Sequence, residues 1–122
     1  MIVLNHICLP VLDLDRSLAF YRDALNLTPQ RELWIHDHTC RLVFLGDGAT
    51  DFRLELFQRM GRTKPYGLGE GSLHVGIRTD EFDALHAKHK TMGCIDEEDP
   101  TLGIYFLKDP DGHRIEIVPV RD

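Results

Sequence analysis

No stretch of this chain approaches the roughly 18 consecutive apolar residues that a spanning helix requires, so none is expected. Cysteine is scarce and unpaired in pattern: Cys8, Cys40 and Cys94 are an odd number with no CxxC spacing. That argues against a disulfide framework and a redox motif, and suits reduced, semi-buried thiols. Positive charge is also short. The formal net charge is −6, and Lys and Arg are scattered, so neither nucleic acid nor an anionic membrane is an expected partner. The opening MIVLNHICLPVLDLD lacks a basic leader and a small-residue cleavage site, and a cytoplasmic protein is expected.

What is present is ordinary in bulk and unusual in order. With 122 residues, 43% apolar and 28% charged, the chain reads as one compact globular unit. Its two halves repeat a sequence of features. LNHICLPVLDLDRSLAFY and SLHVGIRTDEFDALHA each carry a His among aliphatic residues, then an acidic residue, then an apolar helical pattern. GDGATDFRLELF and DPDGHRIEIV each lead from an Asp-Gly turn into a strand with Glu between aliphatic neighbours.

Periodicity and turn chemistry divide each half into βαβββ. The first half reads as a strand at 2–10, a helix capped by Asp15 and running to about Asn26, and strands at 30–36, 39–45 and 52–58. The second reads as a strand at 72–78, a helix from Asp80 to about Thr91 stopped by Gly93, and strands near 94–98, 103–107 and 113–119. The spacing predicts a single domain over 1–122, built of modules 1–60 and 71–122 with a Gly-rich linker at 61–70.

Alternation along strands then sorts the faces. His6, Glu55, His74 and Glu116 each lie opposite an aliphatic face that should carry the helices. A Glu in an otherwise apolar strand costs on the order of several kcal/mol unless it is paired or binds a cation. Two such carboxylates on one surface repel unless a proton or metal separates them. One ligand from each of four strands makes an N/O set suited to one divalent ion, Zn, Ni, Co, Fe(II) or Mn, with poor selection among them.

Other histidines read as weaker candidates. His36 and His38 belong to an exposed hairpin turn, His86 and His89 to a solvent-facing or interfacial helix side, and His113 to a rim. Tyr21 and Phe20 read as packing residues, and Trp34 as a residue that could face the cavity.

These residues, in this order, resemble the vicinal oxygen chelate superfamily, and within it glyoxalase I. LNHICLPVLDLDRSLAFYRDALNL is similar to the family's opening strand and helix, RLELF to its fourth strand, SLHVGI to its fifth, and FLKDPDGHRIEIV to its closing signature. The resemblance implies an α+β fold in which two βαβββ modules form a curved eight-stranded mixed sheet around a metal cavity. It implies His6, Glu55, His74 and Glu116 as metal ligands, with Glu116 the catalytic base and Glu55 its counterpart. The implied reaction isomerises the hemithioacetal of a 2-oxoaldehyde by enediolate proton transfer. A homodimer is implied as well, often with modules of two chains forming each cavity, and the Gly-rich linker permits either that swapped pairing or a chain closed on itself.

Alternatives in the same superfamily are an epimerase, a thiol transferase, a dioxygenase, or a small-molecule-binding protein with a residual metal site. The transferases and dioxygenases it resembles use two His and one Glu, and binding-only members usually lack a complete set; this chain has all four. Glutathione-using members carry Arg four residues after the first His and Asn four after the first Glu. Here Pro10 and Arg59 stand there, so the usual clamp is not intact and Arg59 is the expected substrate-binding cation.

Overall fold

The computed structural model describes residues 1–121. The order of elements is β1 (His6–Pro10), α1 (Leu14–Leu25), β2 (Thr28–Ile35), β3 (Cys40–Gly46), β4 (Arg53–Arg59), β5 (His74–Thr79), α2 (Phe82–Met92), β6 (Ile95–Asp99), β7 (Ile104–Lys108) and β8 (Arg114–Pro119). This is βαβββ twice, an α+β arrangement. The eight strands form two four-stranded mixed sheets, ordered β1-β4-β3-β2 and β5-β8-β7-β6. The chain divides into two compact units, the first Met1–Tyr66 and the second starting at Gly67.

In the first unit β1 runs parallel to β4, with Ile7 beside Leu54 and Leu9 beside Leu56. Those aliphatic side chains face α1, whose Leu14, Ser17, Tyr21 and Ala24 are buried at helical spacing. Leu56, Leu14, Tyr21 and Ala24 are all fully buried, so the helix lies on the face away from His6 and Glu55. Asp13, rather than Asp15, caps this helix: its side chain accepts from the Arg16 amide at 3.1 Å. Asp15 stands in the first turn and pairs instead with Arg41 at 3.0 Å. The strand expected at 2–10 begins only at His6, and Val3 is exposed rather than packed. Pro29 lies inside β2, where the expected strand starts after it. As an edge strand β2 tolerates the missing donor, and the register shifts at Pro29/Arg31.

The second unit repeats the plan. β5 runs parallel to β8, with Val75 beside Ile115 and Ile77 beside Ile117. The helix side of the sheet is buried through Ile115, Ile117, Tyr105 and Leu107. Leu73, outside the strand, is exposed. Gly93 ends α2 in the left-handed region at φ 71°, as its position predicts.

Two histidines depart from expectation. His89 is fully buried, not solvent-facing, because it continues the inward stripe begun by Phe82 and Leu85; its Nδ1 lies 2.8 Å from the Tyr105 hydroxyl. His113 is also buried, because the turn before β8 folds tightly around Asp109. One Asp109 carboxylate oxygen accepts from the amides of Asp111 at 2.9 Å and His113 at 2.8 Å. Asp109→Ala leaves these donors unmet and is expected to cost about 3 kcal/mol, read as a lower urea midpoint with an unchanged slope.

Candidate metal centre

Each unit brings one expected His and one expected Glu together. In the first, His6 Nε2 lies 3.4 Å from Glu55 Oε1; in the second, His74 Nε2 lies 3.5 Å from Glu116 Oε2. The correspondence extends to the neighbours. His6 sits beside Arg53 and Cys8 beside Glu55 in one parallel ladder; His74 sits beside Arg114 and Gly76 beside Glu116 in the other. Across the antiparallel ladders Phe44 faces Glu55, and Phe106 faces Glu116. Each phenyl ring meets its imidazole edge-on, with centroids 5.4 Å apart for His6 and 5.2 Å for His74.

The imidazole orientations are fixed from behind. His74 Nδ1 lies 2.8 Å from the Ser72 carbonyl, which can only accept, so Nδ1 carries the proton. In the neutral ring Nε2 then carries a lone pair beside the Glu116 carboxylate. Two acceptors so close suit a shared proton or cation. At 3.5 Å the pair is longer than a charge-assisted hydrogen bond of about 2.8 Å. Two ligands about 2.1 Å from one ion stand about 3.0 Å apart at a right angle and about 3.4 Å apart at the tetrahedral angle. Both His–Glu pairs therefore fit the bite of a divalent cation. His6 Nδ1 is held by the Asn5 carboxamide at 2.7 Å, a group that can donate or, turned over, accept.

Glu55 is nearly enclosed, its side chain 12% exposed against 24% for Glu116. Cys8, its ladder neighbour, was not singled out by the sequence. Cys8 is exposed as a residue, not semi-buried as expected, yet partial desolvation of its sulfur, followed by the charge of Glu55 and a hydrogen bond to it, pushes the thiol up to about 11. It meets Glu55 as a neutral donor. In the second unit a layered support stands behind His74. The Arg114 guanidinium covers the Phe106 ring at 4.0 Å and is itself paired with Glu97 and Asp96. Its buried Nε reaches 3.6 Å from Asp96 Oδ2, beyond hydrogen-bond length.

Among the described residues no three His, Cys, Asp or Glu side chains gather around one point; each unit contributes a pair. Arg59 is exposed and shares the Glu55 face of β4, four residues further on, or about 13 Å along the strand. Trp34 does not share that face. Its register partner is Arg41, which bonds to Asp15 of α1, so Trp34 lies on the helix side and stacks on His38. His36 and His38 occupy the exposed turn expected of them.

The chain is similar to known proteins along nearly its whole length. The model of the Glyoxalase/Bleomycin resistance protein/Dioxygenase superfamily matches residues 3–117. The lactoylglutathione lyase of Haemophilus influenzae is 33% identical over 121 residues, covering 93% of this chain and 89% of its own. Among solved structures, the trypanothione-dependent glyoxalase I of Leishmania major superposes with a TM-score of 0.86 at 31% identity, covering 98% of this chain and 87% of that one. Glyoxalase I of Zea mays gives a TM-score of 0.83 at 30% identity over 98% of this chain and 45% of its own. Duplicated βαβββ modules, matched His–Glu pairs and similarity along nearly the whole chain lead to one assignment: the protein belongs to the glyoxalase/bleomycin resistance/dioxygenase superfamily, as a glyoxalase I-like enzyme.

Proposed function

We propose that this enzyme is a divalent-metal-dependent lyase of the lactoylglutathione lyase type, acting on the hemithioacetal of a 2-oxoaldehyde. The observation that carries the reading is the pair of His–Glu contacts, 3.4 and 3.5 Å, at corresponding positions of two repeated sheets. His6, Glu55, His74 and Glu116 together would hold one Ni, Co, Zn, Fe(II) or Mn ion. When bound, that ion supplies Lewis-acid stabilisation of negative charge developing on adjacent substrate oxygens.

The chain's own residues do the rest. Glu116 removes the proton from the carbon that bears the sulfur and returns it to the neighbouring carbon, which converts the hemithioacetal into a 2-hydroxy thioester. Glu55 is its counterpart from the first module. The edge-on contacts Phe44–His6 and Phe106–His74 keep the imidazoles from rotating away. Arg59, on the Glu55 face, is the first-module candidate for contact with the thiol portion.

A complete site needs one pair from each module. Our reading is a cytoplasmic homodimer in which His6 and Glu55 of one chain meet His74 and Glu116 of the partner subunit. Exposed apolar side chains at Ile2, Leu4 and Leu73, next to the two His-bearing strands, support a covered surface there.

Exhaustive chelation is expected to abolish thioester formation from methylglyoxal and a thiol, and re-addition of Ni, Co or Zn to restore it. Metal content measured in parallel decides the matter. Full activity in protein shown to be metal-free would remove the metal from the proposal.

A further inference from the structure

In the second sheet β8 lies between β5 and β7, so His74 of β5 and Phe106 of β7 meet over β8. Register sets Arg114 beside His74 and Phe106 beside Glu116, and Arg114 shares the Glu116 face two residues along the strand. The Arg114 guanidinium covers the Phe106 ring at 4.0 Å. That ring in turn meets the His74 imidazole edge-on, at 5.2 Å and 86°.

The same guanidinium reaches the backbone that orients His74. Arg114 Nη1 donates to the Gly71 carbonyl at 3.4 Å, one residue before Ser72, whose own carbonyl accepts from His74 Nδ1 at 2.8 Å. This segment leaves a tight turn. The Gly71 amide donates to the Leu68 carbonyl at 3.2 Å, and Gly69 and Gly71 have φ +61° and +76°. Arg114 therefore ties the turn to β8. Its Nη2 donates to Glu97 at 2.6 Å, while its buried Nε has no acceptor. Stability alone gains nothing from a buried donor left unmet; the place of the guanidinium over Phe106 imposes it.

The first module repeats the position but not the contacts. Arg53 stands beside His6, yet its Nη1 donates to the carbonyls of Thr50 and Phe52, on its own approach to β4. Among the described residues no guanidinium covers Phe44, and His6 Nδ1 is met only by the exposed Asn5 carboxamide.

We infer that Arg114 is a positioning residue for His74. Through Phe106 and the Gly71–Ser72 backbone it holds the imidazole in the orientation that binds metal, and it makes His74–Glu116 the firmer half of the site. The inference deepens the proposed function and rests on that pair being metal ligands. Groups that hold a ligand imidazole from behind change metal affinity by about 10- to 100-fold.

The test measures zinc affinity of the full-length protein by competition with a chromophoric chelator, and cobalt(II) absorption as a report on geometry at the ion. Arg114→Ala is expected to weaken zinc binding about tenfold or more and to shift the cobalt bands. Arg114→Lys keeps a charge beside Glu97 but lacks the planar face and fork, and is expected to lose about threefold or more. Arg53→Ala is expected to stay within about twofold of wild type. So is Lys108→Ala, which removes another cation paired with Asp96. Wild-type zinc affinity in the Arg114 variants overturns the inference, and a lowered urea midpoint alongside it marks a merely structural arginine. An equal loss from Arg53→Ala or Lys108→Ala overturns it too. Should Arg114→Ala fail to fold, Arg114→Lys decides. Wild type that takes up no zinc, or His74→Ala that binds it as tightly as wild type, overturns the metal reading and this inference with it. Unchanged affinity in the Arg114 variants alone leaves the metal reading standing.

Discussion

Glu116→Gln is expected to lower turnover of the methylglyoxal hemithioacetal about 10³-fold or more, while the protein still takes up metal. The substitution keeps a carboxamide oxygen where the carboxylate was, so shape and one donor atom survive, but an amide cannot accept a proton from carbon at neutral pH. General-base contributions of about 10²–10⁴-fold set the scale. Glu116 is well placed to act as that base. It is 24% exposed, so a substrate can reach it, and it borders an open cavity. Its partner imidazole is oriented by the Ser72 carbonyl, which the substitution does not touch. Rates are read from thioester formation, and retained metal is read by elemental analysis. Near-wild-type turnover would remove Glu116 from the base role.

The second large effect concerns which chain supplies which half of the site. His6→Ala and His74→Ala are each expected to reduce activity to a small residue. Mixed as co-expressed chains, they are expected to recover about a quarter of wild-type activity, since random pairing gives half heterodimers, each with one of two sites intact. The fraction follows from exchange: in a heterodimer one cavity collects both substitutions and the other collects none. Were each chain to close its own site, every cavity in the mixture would carry one lesion. Activity would then stay at the level of the single variants.

The repeated order of strands and helices was legible because each module carries its own His, helix pattern, Asp-Gly turn and Glu. Strand parity correctly opposed His6, Glu55, His74 and Glu116 to aliphatic faces, since period-two alternation survives even where strand ends move. Polarity weighed above position misplaces His89 and His113. Phe82, Leu85 and His89 form a helical stripe, and Asp109 folds the turn over His113. Asp15 fails as the cap for a similar reason. Asp13 and Asp15 are both competent caps, and the helix begins early enough to place Asp13, with its extended backbone, at the cap and Asp15 in the first turn.

The parallel pairing of β1 with β4, and of β5 with β8, has a consequence for how the protein is made. A sheet whose first strand lies against its last cannot close until nearly the whole module has left the ribosome, and loops of that span raise contact order and slow folding. Duplication limits the delay to one module's length at a time. The amino-terminal half has every strand it needs to complete its sheet while the carboxy-terminal half is still in the exit tunnel.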